Sequence, residues 1–273
     1  VDWPDALVDM FGVVQLLLFD LDNFGFSCVV GSSPVVRYVI SVGFFPALIA
    51  YIGMCFVISR AQPNQRLRWE VPKLLSTLGQ FMQVGYSPMT TLALAPFMCY
   101  QHPTGLRSML KYPSILCGSD AHGAMLIAGL LLLVFFVLGF LTLCCFLAHK
   151  LPAWSVGGKA LRVRACKFLI FRFRLDRWWY GVPLLAKGPL MSLPVVLATD
   201  YPPVQTTFVQ LFIALYLVLQ VVSWPWKTPV LNAIDAWIGV SLVMLINNAS
   251  LLVPDLGTSM LIFVDMANSG LDV

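Results

Sequence analysis

The sequence predicts an all-α protein, a polytopic transmembrane helical bundle, and three observations carry that expectation. Six apolar stretches, residues 38–58, 74–98, 124–148, 179–199, 204–224 and 230–252, are each 21 to 25 residues long. A helix of about 20 apolar residues crosses a hydrocarbon core of ~30 Å. The only charges inside the six stretches are Lys187 and Asp235. The 273-residue chain is 59% hydrophobic and 11% charged, where a soluble domain carries about 25% charged residues. The runs are continuous and do not alternate, which argues against a β-barrel. Backbone groups in lipid must be satisfied internally, so each run is expected to be helical.

Charge orients the bundle. If the connecting segments alternate between two sides, residues 59–73, 149–178 and 225–229 hold 13 of the 17 Lys and Arg, and the opposite side holds three. Acidic residues reverse the bias, with ten on the poor side and two, Glu70 and Asp176, on the rich one. The rich side is expected to be cytoplasmic. This gives an extracellular segment 1–37, a six-helix bundle 38–252 and an extracellular tail 253–273, in a protein of the plasma membrane. Val1 follows no initiator Met and no signal segment, so the chain reads as a fragment or a processed product.

The elements follow in order. Residues 1–27 are acidic and semi-apolar, and the stretch after Trp3-Pro4 is expected to lie on the outer surface as an interfacial helix. Asp20 and Asp22 read as a solvated loop or a cation site. The first span carries Pro46 at its middle, where a kink is expected. The second is the most polar: Gln80, Gln83 and Ser87 share one face at helical spacing. In lipid such a face turns toward other helices or toward water, so it is either interhelical glue or the lining of a pore. The third span, nearly all Leu, Val and Phe, is expected to face lipid.

The inner segment 149–178 interleaves Arg162, Arg164, Lys167, Arg172, Arg174 and Arg177 with Phe168, Leu169, Ile170, Phe171 and Phe173. We read it as an interfacial helix whose cations meet anionic lipid headgroups, or as a plain topology signal. Its cations lack the every-third spacing of a voltage sensor. The fourth span is broken by Pro183, Pro189 and Pro194. Lys187 lies about 12 Å from its inner end at 1.5 Å per residue, and Asp235 has a similar depth in the sixth span. A charge at that depth is costly unless it is paired or snorkels, so the two are expected either to approach each other or to reach the interface separately. Asn248 opens a glycosylation sequon at the predicted membrane edge.

Cys99 and Cys117 bracket a short polar outer loop. An oxidising exterior permits a disulfide between them, leaving Cys28 over, with three reduced thiols as the alternative. No metal, nucleophile or phosphate-loop spacing occurs, and His102, His122 and His149 are dispersed. His122 beside Asp120 is a pH-sensing candidate or a loop histidine without a role. No enzymatic activity, cofactor or nucleic-acid partner is expected.

Several residues recur in a recognisable order: Trp3-Pro4, Asp20-Leu-Asp22 and Cys28; then Cys99, Gly105, Leu110, Tyr112-Pro113-Ser114-Ile115, Cys117 and His122; then Phe168-Leu169, Arg172, Arg174, Trp178-Trp179 and Leu184-Leu185-Ala-Lys187. In this the chain resembles the TRP-like, polycystin-related multi-pass domain at the C-terminal end of large protist surface proteins. The runs FRFRLDRWWYG and SWPWKTPVLN are similar in style to dinoflagellate sequences. The resemblance implies a cation channel or channel-like subunit, a Cys99–Cys117 disulfide and a further helix before Trp3. Between the fifth and sixth spans, however, stands only SWPWKTP, with no selectivity-filter loop. The alternative is a non-conducting anchor or sensor domain for a larger extracellular cysteine-rich protein. The partners implied are membrane lipids, anionic on the cytoplasmic face, and other subunits or upstream domains.

Overall fold

Each of the six stretches is helical over nearly its whole length. The computed structural model describes residues 33–62, 68–102, 105–199 and 201–251. The expected surface helix before residue 33, Asp20, Asp22, Cys28 and the tail 253–273 lie outside the described residues. Helices α1 (Pro34–Ala61) and α2 (Val71–Leu94) come first. Each has proline in its first turn, where the missing N–H would have no intrahelical partner. A 3-10 turn (Ala95–Phe97) leads into strands β1 (Cys99–Gln101) and β2 (Arg107–Met109). One continuous helical run then comprises α3 (Asp120–Leu131), a π-helical segment (Leu132–Leu138) and α4 (Gly139–Val156). Short helices α5 (Ala160–Ala165) and α6 (Lys167–Ile170) and a 3-10 turn (Leu175–Tyr180) precede α7 (Gly181–Leu197), α8 (Pro202–Ser223) and α9 (Pro229–Leu251).

Five of these segments are long and apolar enough to cross a membrane: Pro34–Ala61, Asp120–Val156, Leu175–Leu197, Pro202–Ser223 and Pro229–Asn248. That is the make-up of an integral, multi-pass membrane protein. The remaining stretch of the six expected is α2. Helix α2 has the length, at 24 residues, but its Gln, Ser and Thr side chains keep it below the apolarity of the other five.

The chain divides into two compact units, Val1–Pro189 and Leu190–Val273. The core of the first is built on α2. Its face of Gly85, Tyr86, Met89 and Ala93 is buried, and the two glycines of the helix admit aromatic rings. Phe45 of α1 sits on Gly85 so closely that a Cβ there would fall inside its ring. Phe168 sits likewise on Gly79, its ring carbons 2.5 Å from where a Cβ would stand. Gly129 lets α3 approach the Ala93 carbonyl and the Tyr38 hydroxyl. The third span is therefore not simply lipid-facing: Met125, Val137, Phe140 and Cys144 lie in this core, while Phe135 on the opposite side is 75% exposed.

The π segment has a specific partner. A π-helix departs from the i→i−4 ladder and frees backbone groups. The Tyr86 hydroxyl donates to the Val137 carbonyl at 3.0 Å, and both residues are buried. Tyr86→Phe removes that donor while keeping the ring against Phe140. The expected loss is about 1–2 kcal/mol of unfolding free energy, read by denaturant titration of the full chain in detergent. An unchanged midpoint would mean that the bond contributes nothing.

The segment 149–178 is not one interfacial helix, contrary to expectation. Helix α4 runs on to Val156, and glycines 157 and 158 end it, Gly158 with φ +68°. Phe168, Leu169, Phe173 and Tyr180 turn inward and are buried. Phe168 is protein core because α2 offers it the Gly79 notch, which the local composition of the segment does not reveal.

In the second unit α8 and α9 form an antiparallel hairpin in which Gly239 receives Leu217. Its buried residues include Ile213, Tyr216, Gln220, Ser223 and Asn232, an unusually polar interior for two helices this apolar on the outside.

Candidate functional site

Three groupings of polar side chains are candidates. The first is the α2 face. Gln80 and Gln83 are half-buried and Ser87 is exposed. Ser87 lies beside Gly188 of α7, a Cβ on which would stand 3.7 Å from the Ser87 hydroxyl. A small residue on each helix lets the backbones approach, as membrane helix pairs favour. Thr77 and Thr91 return their hydroxyls to carbonyls four residues back, at 2.9 and 3.3 Å. Gln80 and Gln83 have no hydrogen-bond partner among the described residues. The three residues predicted from sequence thus separate into a packing contact at Ser87 and two amides that remain to be solvated.

The second grouping is the end of the α8–α9 hairpin. The Asp235 carboxylate accepts from the Trp226 indole N–H at 3.0 Å and from the Tyr216 hydroxyl at 3.3 Å. Asn232, fully buried, clasps the turn. Its Oδ1 accepts from the Trp226 backbone N–H at 3.1 Å, and its Nδ2 donates to the Trp226 carbonyl at 3.0 Å. Gln220, also fully buried, donates to the Asn232 carbonyl at 2.8 Å, and Gln210 bonds Asn247 near the other end at 3.1 Å. The turn contains Trp224 at φ +44°, a left-handed conformation costly for a bulky residue. Asp235 thereby obtains two donors from within its own hairpin. Lys187 lies in the first unit, half-buried on α7, with an interaction of its own. Sequence reasoning marked Asp235 because it is charged and passed over Asn232, Trp226 and Gln220, which are ordinary at the end of a span.

The third is the loop between α2 and α3. Cys99 and Cys117 are disulfide-bonded. Strand β1 pairs antiparallel with β2, Tyr100 opposite Ser108, and Met109, Tyr112 and Ile115 anchor the loop in the core. Tyr112 meets Tyr38 of α1 edge-on at 6.3 Å. His122 is neither in the loop nor a bystander. Its backbone N–H is capped by Ser119 at 3.3 Å in the first turn of α3. Its Nδ1 accepts from the Gly118 N–H at 3.2 Å, which leaves the proton on Nε2, and Nε2 donates to the Pro96 carbonyl at 3.0 Å. The sulfurs of Cys99 and Cys117 and a ring nitrogen lie within 4.8 Å of one another. With the sulfurs bonded to each other and both ring nitrogens engaged, this is a structural staple between the ends of α2 and α3, not an open ligand set.

Most basic residues of 149–178 are exposed, and Arg177 is half-buried. Arg174 and Arg177 share the Asp176 carboxylate at 3.2 and 3.6 Å. Arg162 stands over the Trp154 ring at 5.5 Å and Arg172 over Phe171 at 5.1 Å. Such cation–aromatic pairs suit a surface where ring and cation meet water together. Arg164 and Lys167 belong to α5 and α6. Burial pushes the thiol of the neighbouring Cys166 above its ordinary pKa. Comparison of the chain with protein-family models, with curated proteins and with solved structures finds no match.

Proposed function

We propose that the chain is a cation-conducting, TRP-like channel domain or channel-like subunit of the plasma membrane, its basic segments in the cytoplasm and both of its ends outside. One observation carries this reading: Gln80 and Gln83 are half-buried amides on α2 without a hydrogen-bond partner among the described residues. An amide left dry in hydrocarbon costs several kcal/mol, so the face is expected to meet water or another subunit. Among the described residues, its helix is the one long helix of the first unit that falls short of a lipid-facing composition. The order of residues shared with TRP-like domains adds to it.

The test is ion flux through liposomes holding the purified full chain. Potassium, sodium or calcium flux is expected, and Gln80→Leu with Gln83→Leu is expected to reduce it at least tenfold. A folded wild-type chain without flux would overturn the reading. It would favour instead a non-conducting anchor or sensor for a larger extracellular protein. That alternative has its own support: the turn between α8 and α9 is closed on itself by Asn232, where a channel of this kind needs a filter loop.

A further inference from the structure

We propose that the Cys99–Cys117 bridge is a thiol-exchange site, at which a small thiolate attacks Cys117 and Cys99 leaves as a thiolate held by His122. Three observations orient the reaction. The donor is fixed: the Gly118 N–H donates to His122 Nδ1 at 3.2 Å, which places the ring proton on Nε2. That N–H donates to the Pro96 carbonyl at 3.0 Å, and Cys99 Sγ lies 3.8 Å from the same nitrogen. The bridge is asymmetric: both sulfurs lie within 4.8 Å of the ring nitrogen, but among the described residues only Cys99 Sγ comes within reach of its N–H. Access is asymmetric in the opposite sense. Cys117 is half-buried between Leu116, 46% exposed, and the exposed Gly118, a Cβ on which would meet no atom within 4 Å. Cys99 follows the buried Ala95 and Pro96 and stands between the half-buried Met98 and Tyr100.

Exchange is governed by access to the attacked sulfur and by how well the departing sulfur carries its charge. The electron pair of the incoming thiolate forms the new bond to Cys117 Sγ, and the pair of the old S–S bond passes to Cys99 Sγ. The products are a mixed disulfide on Cys117 and a thiolate on Cys99, and no oxidant is consumed. A bridged sulfur accepts a hydrogen bond weakly, whereas a thiolate accepts a charge-assisted one. The His122 N–H therefore stabilises the departing Cys99 more than it stabilises the bridge, which is the condition for accelerating the step. Met109, Tyr112 and Ile115 hold the loop in the core whether or not the sulfurs are joined. Cys99 thus stays beside Cys117 and can expel the captured thiol again, which makes the capture reversible. A second thiolate, attacking the captured sulfur, completes the reduction instead. The loop is in this way a covalent site for a small thiol, and the inference does not rest on conduction.

The experiment exposes the folded full chain in detergent to reduced glutathione, stops the reaction early with acid, and alkylates released thiols with N-ethylmaleimide. Peptides are then mapped by mass spectrometry. Glutathione is expected on Cys117 and the maleimide on Cys99, at about ten times the yield of the reverse pattern. His122→Asn keeps an acceptor for the Gly118 N–H but has no donor at the Nε2 position, and is expected to slow the exchange about tenfold. His122→Gln returns an N–H to that position and is expected to recover most of the rate, which a purely structural role of the ring does not predict. Equal adducts on the two cysteines, glutathione mainly on Cys99, or a bridge inert to glutathione would overturn the proposal. So would an unchanged rate in His122→Asn, or a loss there that His122→Gln does not recover. The adduct comparison uses the unaltered chain, so it stands even if a variant does not fold.

Discussion

Replacing Asn232 with Leu is expected to lower the unfolding free energy of the α8–α9 hairpin by about 4 kcal/mol, the largest effect of any single side chain outside the first unit's core. The two strong bonds of its amide, to the Trp226 N–H and carbonyl, are lost together, and each buried group left unpaired costs about 1–3 kcal/mol. Water is absent from a membrane interior and cannot replace them. The turn would then have to hold Trp224 in its left-handed conformation unaided. Asn232→Asp keeps the acceptor for the Trp226 N–H but loses the donor and sets a buried carboxylate against the Trp226 carbonyl, so a penalty at least as large is expected. Gln210→Leu removes a bond to Asn247 on the exposed flank and is expected to cost under about 1 kcal/mol. Thermal unfolding of the full chain in one detergent, followed by tryptophan fluorescence, ranks the three. Indistinguishable transitions for Asn232→Leu and the parent would refute the clasp.

The second large effect is expected from Cys99→Ser with Cys117→Ser. The bridge closes a loop of sequence separation 18, and removing such a constraint on the unfolded chain costs about 3 kcal/mol. The loop itself is expected to stay in place, because Met109, Tyr112 and Ile115 are buried independently of the sulfurs. His122 still ties Pro96 to Gly118. A reductant should therefore lower the unfolding midpoint of the parent and leave that of the double variant unchanged. If the reductant shifts both equally, its action lies elsewhere.

These two sites differ in how far the sequence revealed them. The disulfide was legible because its two cysteines flank one short loop, and sequence distance there is nearly spatial distance. The Asn232 clasp was hidden, since an asparagine three residues into a helix looks like any other polar residue near an interface. Only the path of the turn brings the Trp226 backbone onto it. Gln80 and Gln83 were legible as a polar stripe by their spacing. That Ser87 serves packing while they do not depends on where Gly188 of α7 lies.

The sequence by itself determined that this is an all-helical membrane protein and where most of its spans run. A hydrocarbon core sets a minimum apolar length and requires every backbone group to be bonded within its own segment. Both conditions are local, so composition along the chain is enough to read them. Tertiary structure decided which faces meet: Phe45 in the Gly85 notch, Phe168 in the Gly79 notch, Tyr86 on the Val137 carbonyl. In lipid an apolar side chain is equally at home against a tail or against a neighbouring helix. The hydrophobic pattern therefore carries no record of the inward face, and shape and hydrogen bonding between distant residues have to choose it.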